Sequence, residues 1–181
     1  MNLSFDGVQR EVDFVAWRGD GPLGSENRRP PQLIIGEAKS LGQGELVTPR
    51  DLAKLKAVAA KLPDAVVVIA VLRDHYTQAE KQILKKFVNW GRRVNVHGQP
   101  TNPVLLLTAH ELTMDHVLSL TWKDLGSAHA RFADYDRTRT LLDVAYATQQ
   151  IYLGMPSFHQ IRTEYWNKRL ARRKAAEKGT S

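Results

Sequence analysis

The eight residues Ala65-Val66-Val67-Val68-Ile69-Ala70-Val71-Leu72 carry no polar side chain, and five of them are β-branched. The run falls well below the roughly 20 apolar residues that cross a bilayer. It also lacks the alternation of a strand with one wet face. A strand over Val66–Leu72 covered on both sides, the central strand of an α/β sheet, is what remains. Its neighbours supply covering helices. Thr48 before Pro49 reads as a helix N-cap followed by proline at the first helical position, with Asp51 near the positive end. From there Leu52, Leu55, Val58, Ala59 and Leu62 recur at core-facing spacing, and Pro63-Asp64 stops the helix. A second helix is expected from Thr77 to about Trp90, with Ala79, Ile83, Leu84, Phe87 and Val88 on its apolar side. Val104–Leu107, bounded by Pro103, reads as a further strand.

Towards the N-terminus, Asn2–Phe5 leads into Asp6-Gly7, a dipeptide suited to the positive φ angles of a tight hairpin turn. Val8–Trp17 reads as the returning strand. Val12, Phe14 and Ala16 share one face of it, Glu11 and Asp13 the other. Arg18–Gln32, rich in Gly, Pro, Arg and Asn, is a long loop, and Leu33–Lys39 a third strand. Beyond Leu107 the pattern turns helical over 111–120, 138–153 and 157–178. The expected order is βββαβαβ followed by three helices. This is an α/β chain with a mixed sheet over residues 1–125 and a helical extension with a basic tail over 126–181.

The net charge is +7 and the pI about 9.8. Such a balance favours polyanionic partners, since each phosphate neutralised by Lys or Arg releases a condensed counterion. Part of the excess lies in one tail, where seven basic residues face two acidic ones between Arg162 and Lys178. Cysteine is absent, which excludes disulfides and thiolate metal sites. With no charged-then-apolar leader and no membrane span, a cytoplasmic protein without membrane contact is expected.

Chemistry concentrates on Asp13 and on Glu37-Ala38-Lys39. Strand alternation places Glu37 and Lys39 on one face. If the strands bearing Asp13 and Glu37 pair, two carboxylates and an ammonium converge. Hard oxygen ligands of this kind suit Mg²⁺ or Mn²⁺ better than zinc. A divalent ion held by Asp13, Glu37 and the backbone carbonyl of Ala38 polarises a phosphate and lowers the pKa of a bound water, with Lys39 orienting that water or neutralising charge. A Glu-x-Lys on an exposed strand is commonplace. Here, however, the charges follow the apolar Leu33-Ile34-Ile35-Gly36, a second carboxylate lies on the preceding strand, and a helix, a buried strand and another helix follow closely.

The segments Glu11-Val12-Asp13-Phe14-Val15 and Ile34-Ile35-Gly36-Glu37-Ala38-Lys39, in that order of elements, resemble the PD-(D/E)xK, or restriction-endonuclease-like, nuclease superfamily over roughly residues 2–112. The resemblance implies metal-binding roles for Asp13 and Glu37 and catalytic assistance by Lys39. It implies a Mg²⁺-dependent nuclease acting on DNA, as in restriction, repair and anti-phage defence enzymes. It also directs attention to Glu11, Gln43 and Lys56 as groups supporting the site, and to Arg18, Arg28, Arg29 and Lys54 as nucleic-acid contacts. Such nucleases usually begin with a helix, often acidic, before the first strand. Its absence here leads to the expectation that the chain belongs to a longer parent protein, with other domains as partners and the C-terminal helices available for self-association. A non-cleaving nucleic-acid-binding module, or an assembly module of the same fold, is the alternative. The six histidines show no metal-ligand spacing. Among the tryptophans, Trp90 reads as core, and Tyr165-Trp166 as a helix contact or a base-stacking platform.

Overall fold

The computed structural model describes residues 2–5, 8–18, 32–40, 45–94, 100–113, 118–134 and 140–157, with Gln160, Thr163, Asn167 and Leu170 singly. Gln43, Arg28, Arg29, Tyr165, Trp166 and nearly all of the basic tail lie outside these. The described residues form two sheets. Strands β1 (Asn2–Phe5) and β2 (Val8–Glu11) form an antiparallel pair. Strands β3 (Phe14–Arg18), β4 (Gln32–Lys39), β5 (Val66–Val71) and β6 (Val104–Leu107) form a mixed sheet in the order β3-β4-β5-β6. β3 runs antiparallel to β4, whereas β4, β5 and β6 are mutually parallel.

The expected single strand over Val8–Trp17 is therefore two strands. The chain leaves β2 at Glu11, bends at Asp13 and enters β3 in the other sheet. Val12 at the junction is 1% exposed and packs in the main core. This apolar anchor lets the chain change sheets, and strand alternation does not run from Glu11 to Asp13.

β5 is buried at every position. Val67, Ile69 and Val71 face helices α1 (Pro49–Ala59) and α2 (Gln78–Gly91), meeting Leu52, Leu55 and Val58 of α1 and Leu84, Phe87 and Val88 of α2. Val66, Val68 and Ala70 join Leu105 and Ala145 on the opposite face. Each fully buried aliphatic side chain contributes roughly 1.5–3 kcal/mol, which makes this two-sided sandwich the main source of stability. Thr48 and Asp51 form a reciprocal capping box at α1, and Thr77 and Glu80 another at α2. On α2 the expected apolar position Ala79 is exposed, and Glu80 is buried in its place. The Glu80 carboxylate compensates with five donors: Val47 N–H, Thr77 N–H and hydroxyl, and both terminal nitrogens of Arg73.

Beyond β6 come the short helices α3 (Ala109–Leu112), α4 (Leu118–Asp124) and α5 (Ser127–Ala130), then α6 (Leu141–Leu153). α6 closes the sheet's β6 edge. Leu106 N–H donates to Thr148 Oγ1 at 3.2 Å, and Gln149 Nε2 donates to the Val104 carbonyl at 2.5 Å. Two edge groups that would otherwise face a foreign strand are satisfied from within the chain. Among the described residues no helix is long and apolar enough to cross a membrane.

Candidate active site

The pairing of β3 with β4 sets Phe14 opposite Gly36. Gly36 leaves room there for the Phe14 ring, which would stand 2.1 Å from an added Cβ. One residue earlier, β3 has ended. The Asp13 N–H still donates to the Gly36 carbonyl at 3.1 Å, and an Asp13 carboxylate oxygen accepts the Ala38 N–H at 2.7 Å. The carboxylate thus stands where the next strand residue would have paired. The N–H and C=O of one strand residue point to the same side, so the Ala38 carbonyl faces the edge that Asp13 occupies.

Glu37 and Lys39 emerge on the face that α1 covers. Lys39 Nζ lies 2.8 Å from Glu37 Oε1 and 3.5 Å from Asp51 Oδ2. The side chains of Glu37, Lys39 and Asp51 are only 17%, 16% and 15% exposed, so the cluster is shielded rather than a screened surface pair. Burial would lower the Lys39 pKa, but the hydrogen bond and charge of Glu37, reinforced by Asp51, outweigh it and hold the ammonium above the ordinary lysine range. Burial likewise would raise the Asp51 pKa. Hydrogen bonds from Thr48 N–H and hydroxyl, at 2.9 and 2.8 Å, together with the charge of Lys39, instead hold it below the usual carboxylate range.

The structure thus sets Asp13 against the backbone of Gly36 and Ala38, on either side of Glu37, and sets Lys39 against Glu37 and Asp51. Sequence reasoning assigned Asp51 to the helix cap alone. The signal available was the short connection from Lys39 to Thr48, which returns the first turn of α1 to the end of β4. Glu11 is not carried to the site by strand alternation: it is exposed at the end of β2, opposite Asn2. Lys56 points elsewhere, its ammonium 5.4 Å from the centroid of the Trp90 ring on α2. Lys54 is exposed on α1, and Arg18 is exposed at the end of β3 beside the also exposed Trp17. Among the described residues no group of three or more His, Cys, Asp or Glu is disposed to hold a metal ion. The donor set is two carboxylates and one backbone edge. These are hard oxygen donors, the type that Mg²⁺ takes.

A second polar cluster sits under α3, α4 and α6. The buried Glu111 accepts from Trp122 Nε1 at 2.9 Å, from the Tyr152 hydroxyl, and from Thr108 N–H and hydroxyl at 2.8 and 2.9 Å. Each oxygen is occupied by protein donors, so the cluster is a structural joint. Trp122 is fully buried there, and Trp90 packs against Phe87.

No protein-family model matches the chain, and no curated protein matches it in sequence. Among solved structures it is similar to the MspJI restriction endonuclease in complex with a 27-mer oligonucleotide, with 20% identity and a TM-score of 0.34. That match covers 75% of this chain, which spans only 24% of the matched one.

Proposed function

We propose that the chain is a metal-dependent nuclease domain of the PD-(D/E)xK kind, hydrolysing phosphodiester bonds in DNA, and that it works within a longer defence or repair protein. The observation that carries the reading is Asp13 locked against the backbone on both sides of Glu37, with Lys39 held against Glu37 at 2.8 Å. Asp13 and Glu37, with the Ala38 carbonyl, would hold Mg²⁺ or Mn²⁺. Bound there, the ion supplies Lewis-acid polarisation of the phosphate and a water acidic enough to attack it. The chain's own part is positional. Asp13 fixes the end of β4, which sets the direction of the Glu37 carboxylate. Lys39, kept protonated by its two carboxylate neighbours, presents an ammonium where negative charge develops on the phosphate oxygens. Arg18, Lys54 and the +7 net charge supply the general attraction for a polyanion. In this reading residues 1–125 form the nuclease unit and 126–181 its helical extension.

The test is incubation with plasmid, linear and single-stranded DNA in Mg²⁺ or Mn²⁺. Cleavage by the unsubstituted chain that disappears in Glu37→Ala and in Lys39→Ala is the expected result. Cleavage unchanged in both variants would overturn the assignment. Retained DNA binding with no cleavage by any form would favour a non-cleaving binding module instead.

A further inference from the structure

Lys39 has two anionic neighbours, and they are held differently. Glu37 sits on the same strand two residues away and carries the shorter contact, 2.8 Å against 3.5 Å. Asp51 belongs to the first turn of α1 and is fixed independently of Lys39. Its Oδ2 accepts from Thr48 N–H and hydroxyl, and its N–H donates to Thr48 Oγ1 at 3.2 Å. The residue before that cap is pinned in turn, since Val47 N–H donates to the buried Glu80 at 2.8 Å. A second anion is thus anchored beside the lysine, through the α1 cap and α2, independently of Glu37. A divalent cation on Glu37 would repel the ammonium paired with the same carboxylate, since the two positive charges would stand close together. The Asp51 contact is longer than the Glu37 contact, so it can shorten to an ordinary charge-assisted length of about 2.8 Å by movement of the flexible lysine side chain.

We infer that Asp51 is a positioning residue: it is the alternate partner that draws the Lys39 ammonium from Glu37 as Glu37 takes up a divalent cation. This rests on the metal-site reading above and adds to it the device that frees the ligand. Without Asp51, Lys39 has only Glu37 to pair with, and it opposes the cation there.

The experiment is titration of the full chain with Mn²⁺ alone, followed by calorimetry and by the electron-spin signal of the free ion, with no nucleic acid present. Asp51→Asn keeps an oxygen that accepts from Thr48 and so keeps the helix cap, which circular dichroism and urea melts verify, while removing the charge. It should weaken Mn²⁺ binding about five- to tenfold. In a Lys39→Met background the same substitution should change affinity less than about twofold, since the coupling runs through Lys39. Unchanged affinity in Asp51→Asn overturns the inference and leaves the metal site standing. An equal loss with and without Lys39 overturns it too, because Asp51 would then act on the cation directly. Should the unsubstituted chain bind no Mn²⁺, or Glu37→Ala bind it equally well, the metal-site reading falls and this inference with it. A check needing no variant is the carboxyl resonance of Asp51. It should shift together with the carboxyl resonance of Glu37 and the Nζ resonance of Lys39 as Mg²⁺ is added, and an Asp51 signal unmoved at saturation overturns the proposal.

Discussion

Asp13 accepts the backbone N–H of Ala38 at 2.7 Å while giving its own N–H to Gly36 at 3.1 Å, so one residue grips β4 on both sides of Glu37. The same carboxylate is asked to shape the strand and to carry charge, and the two tasks separate by substitution. Asp13→Asn retains an acceptor for Ala38 N–H and loses the charge. Its urea midpoint should correspond to a change within about 1 kcal/mol, while DNA cleavage in Mg²⁺ falls by at least about 100-fold. Asp13→Ala should lose cleavage and also about 0.5–1.5 kcal/mol of stability, the net worth of one solvent-accessible hydrogen bond. Cleavage preserved in Asp13→Asn would remove Asp13 from the chemistry.

Much of this arrangement is legible in the chain itself. The unbroken run from Val66 to Val71 announces a strand with two covered faces, and the Thr48-Pro49 cap and the apolar spacing from Thr77 locate α1 and α2 closely. Legibility ends where a residue's role depends on a distant partner. Glu80 looks like a solvent-facing helix residue until Arg73 and Val47, from two other segments, close around it. Asp51 reads as a cap because its contact with Lys39 is tertiary. The strand bearing Glu11 departs from expectation for a different reason: alternation assumes a continuous strand, and the buried Val12 divides β2 from β3. Asp13 still meets the end of β4, because its bonds to Gly36 and Ala38 do not depend on that alternation.

Gly36 lies inside the motif, yet packing explains it. An added Cβ would meet the Phe14 ring at 2.1 Å, and that ring packs against the core formed by Val66, Val68 and Ala70. Gly36→Ala should therefore cost about 1–3 kcal/mol through overpacking. The double variant with Phe14→Leu should recover part of the loss. A urea series on the four proteins measures both, and purely additive effects would show that the ring is not what the methyl group meets.

The β6 edge is closed by two side chains of α6. Thr148→Val strips the acceptor from Leu106 N–H, and Gln149→Leu strips the donor from the Val104 carbonyl. Each should cost about 1–3 kcal/mol, because both backbone groups are buried. Gln149→Leu should cost the more, since Gln149 also accepts from Arg92 Nε at 2.7 Å and its loss strips that buried guanidinium of a partner. Hydrogen exchange at Leu106 reports the Thr148 bond separately, and protection undiminished in Thr148→Val would refute it.

His129 supplies a pH dependence. Burial lowers its pKa below the ordinary 6.5, with His110 adding and Glu111 opposing. As pH falls through 6.5 the unfolded chain takes up this proton before the folded one does. Stability therefore declines from about pH 6.5 downward until the folded histidine itself titrates. His129→Phe keeps an aromatic edge beside Tyr152 and Trp122 and should flatten that part of the stability profile. An unchanged slope between pH 7 and 5.5 would assign it to another group.

Glu80 governs the acid limb. Burial works against its charge, but Arg73, Val47 and Thr77 outweigh burial and hold its pKa below the ordinary 4.5. A carboxylate with a depressed folded pKa adds stability that is complete above its unfolded value and lost as pH falls through the folded one. Between pH 7 and 5 this contribution is therefore constant. Glu80→Ala leaves Arg73 without its partner and two backbone N–H groups without an acceptor, and should cost roughly 3–5 kcal/mol at pH 7. The gap between the two proteins should then narrow below pH 4.5, as the unsubstituted chain loses what the variant never had. The readout is the urea midpoint at half-unit steps from pH 7 to 3. A gap that stays constant down to pH 3 would mean that Glu80 holds Val47 and Arg73 without its charge, and the tie between α2 and the cap that carries Asp51 would not depend on ionisation.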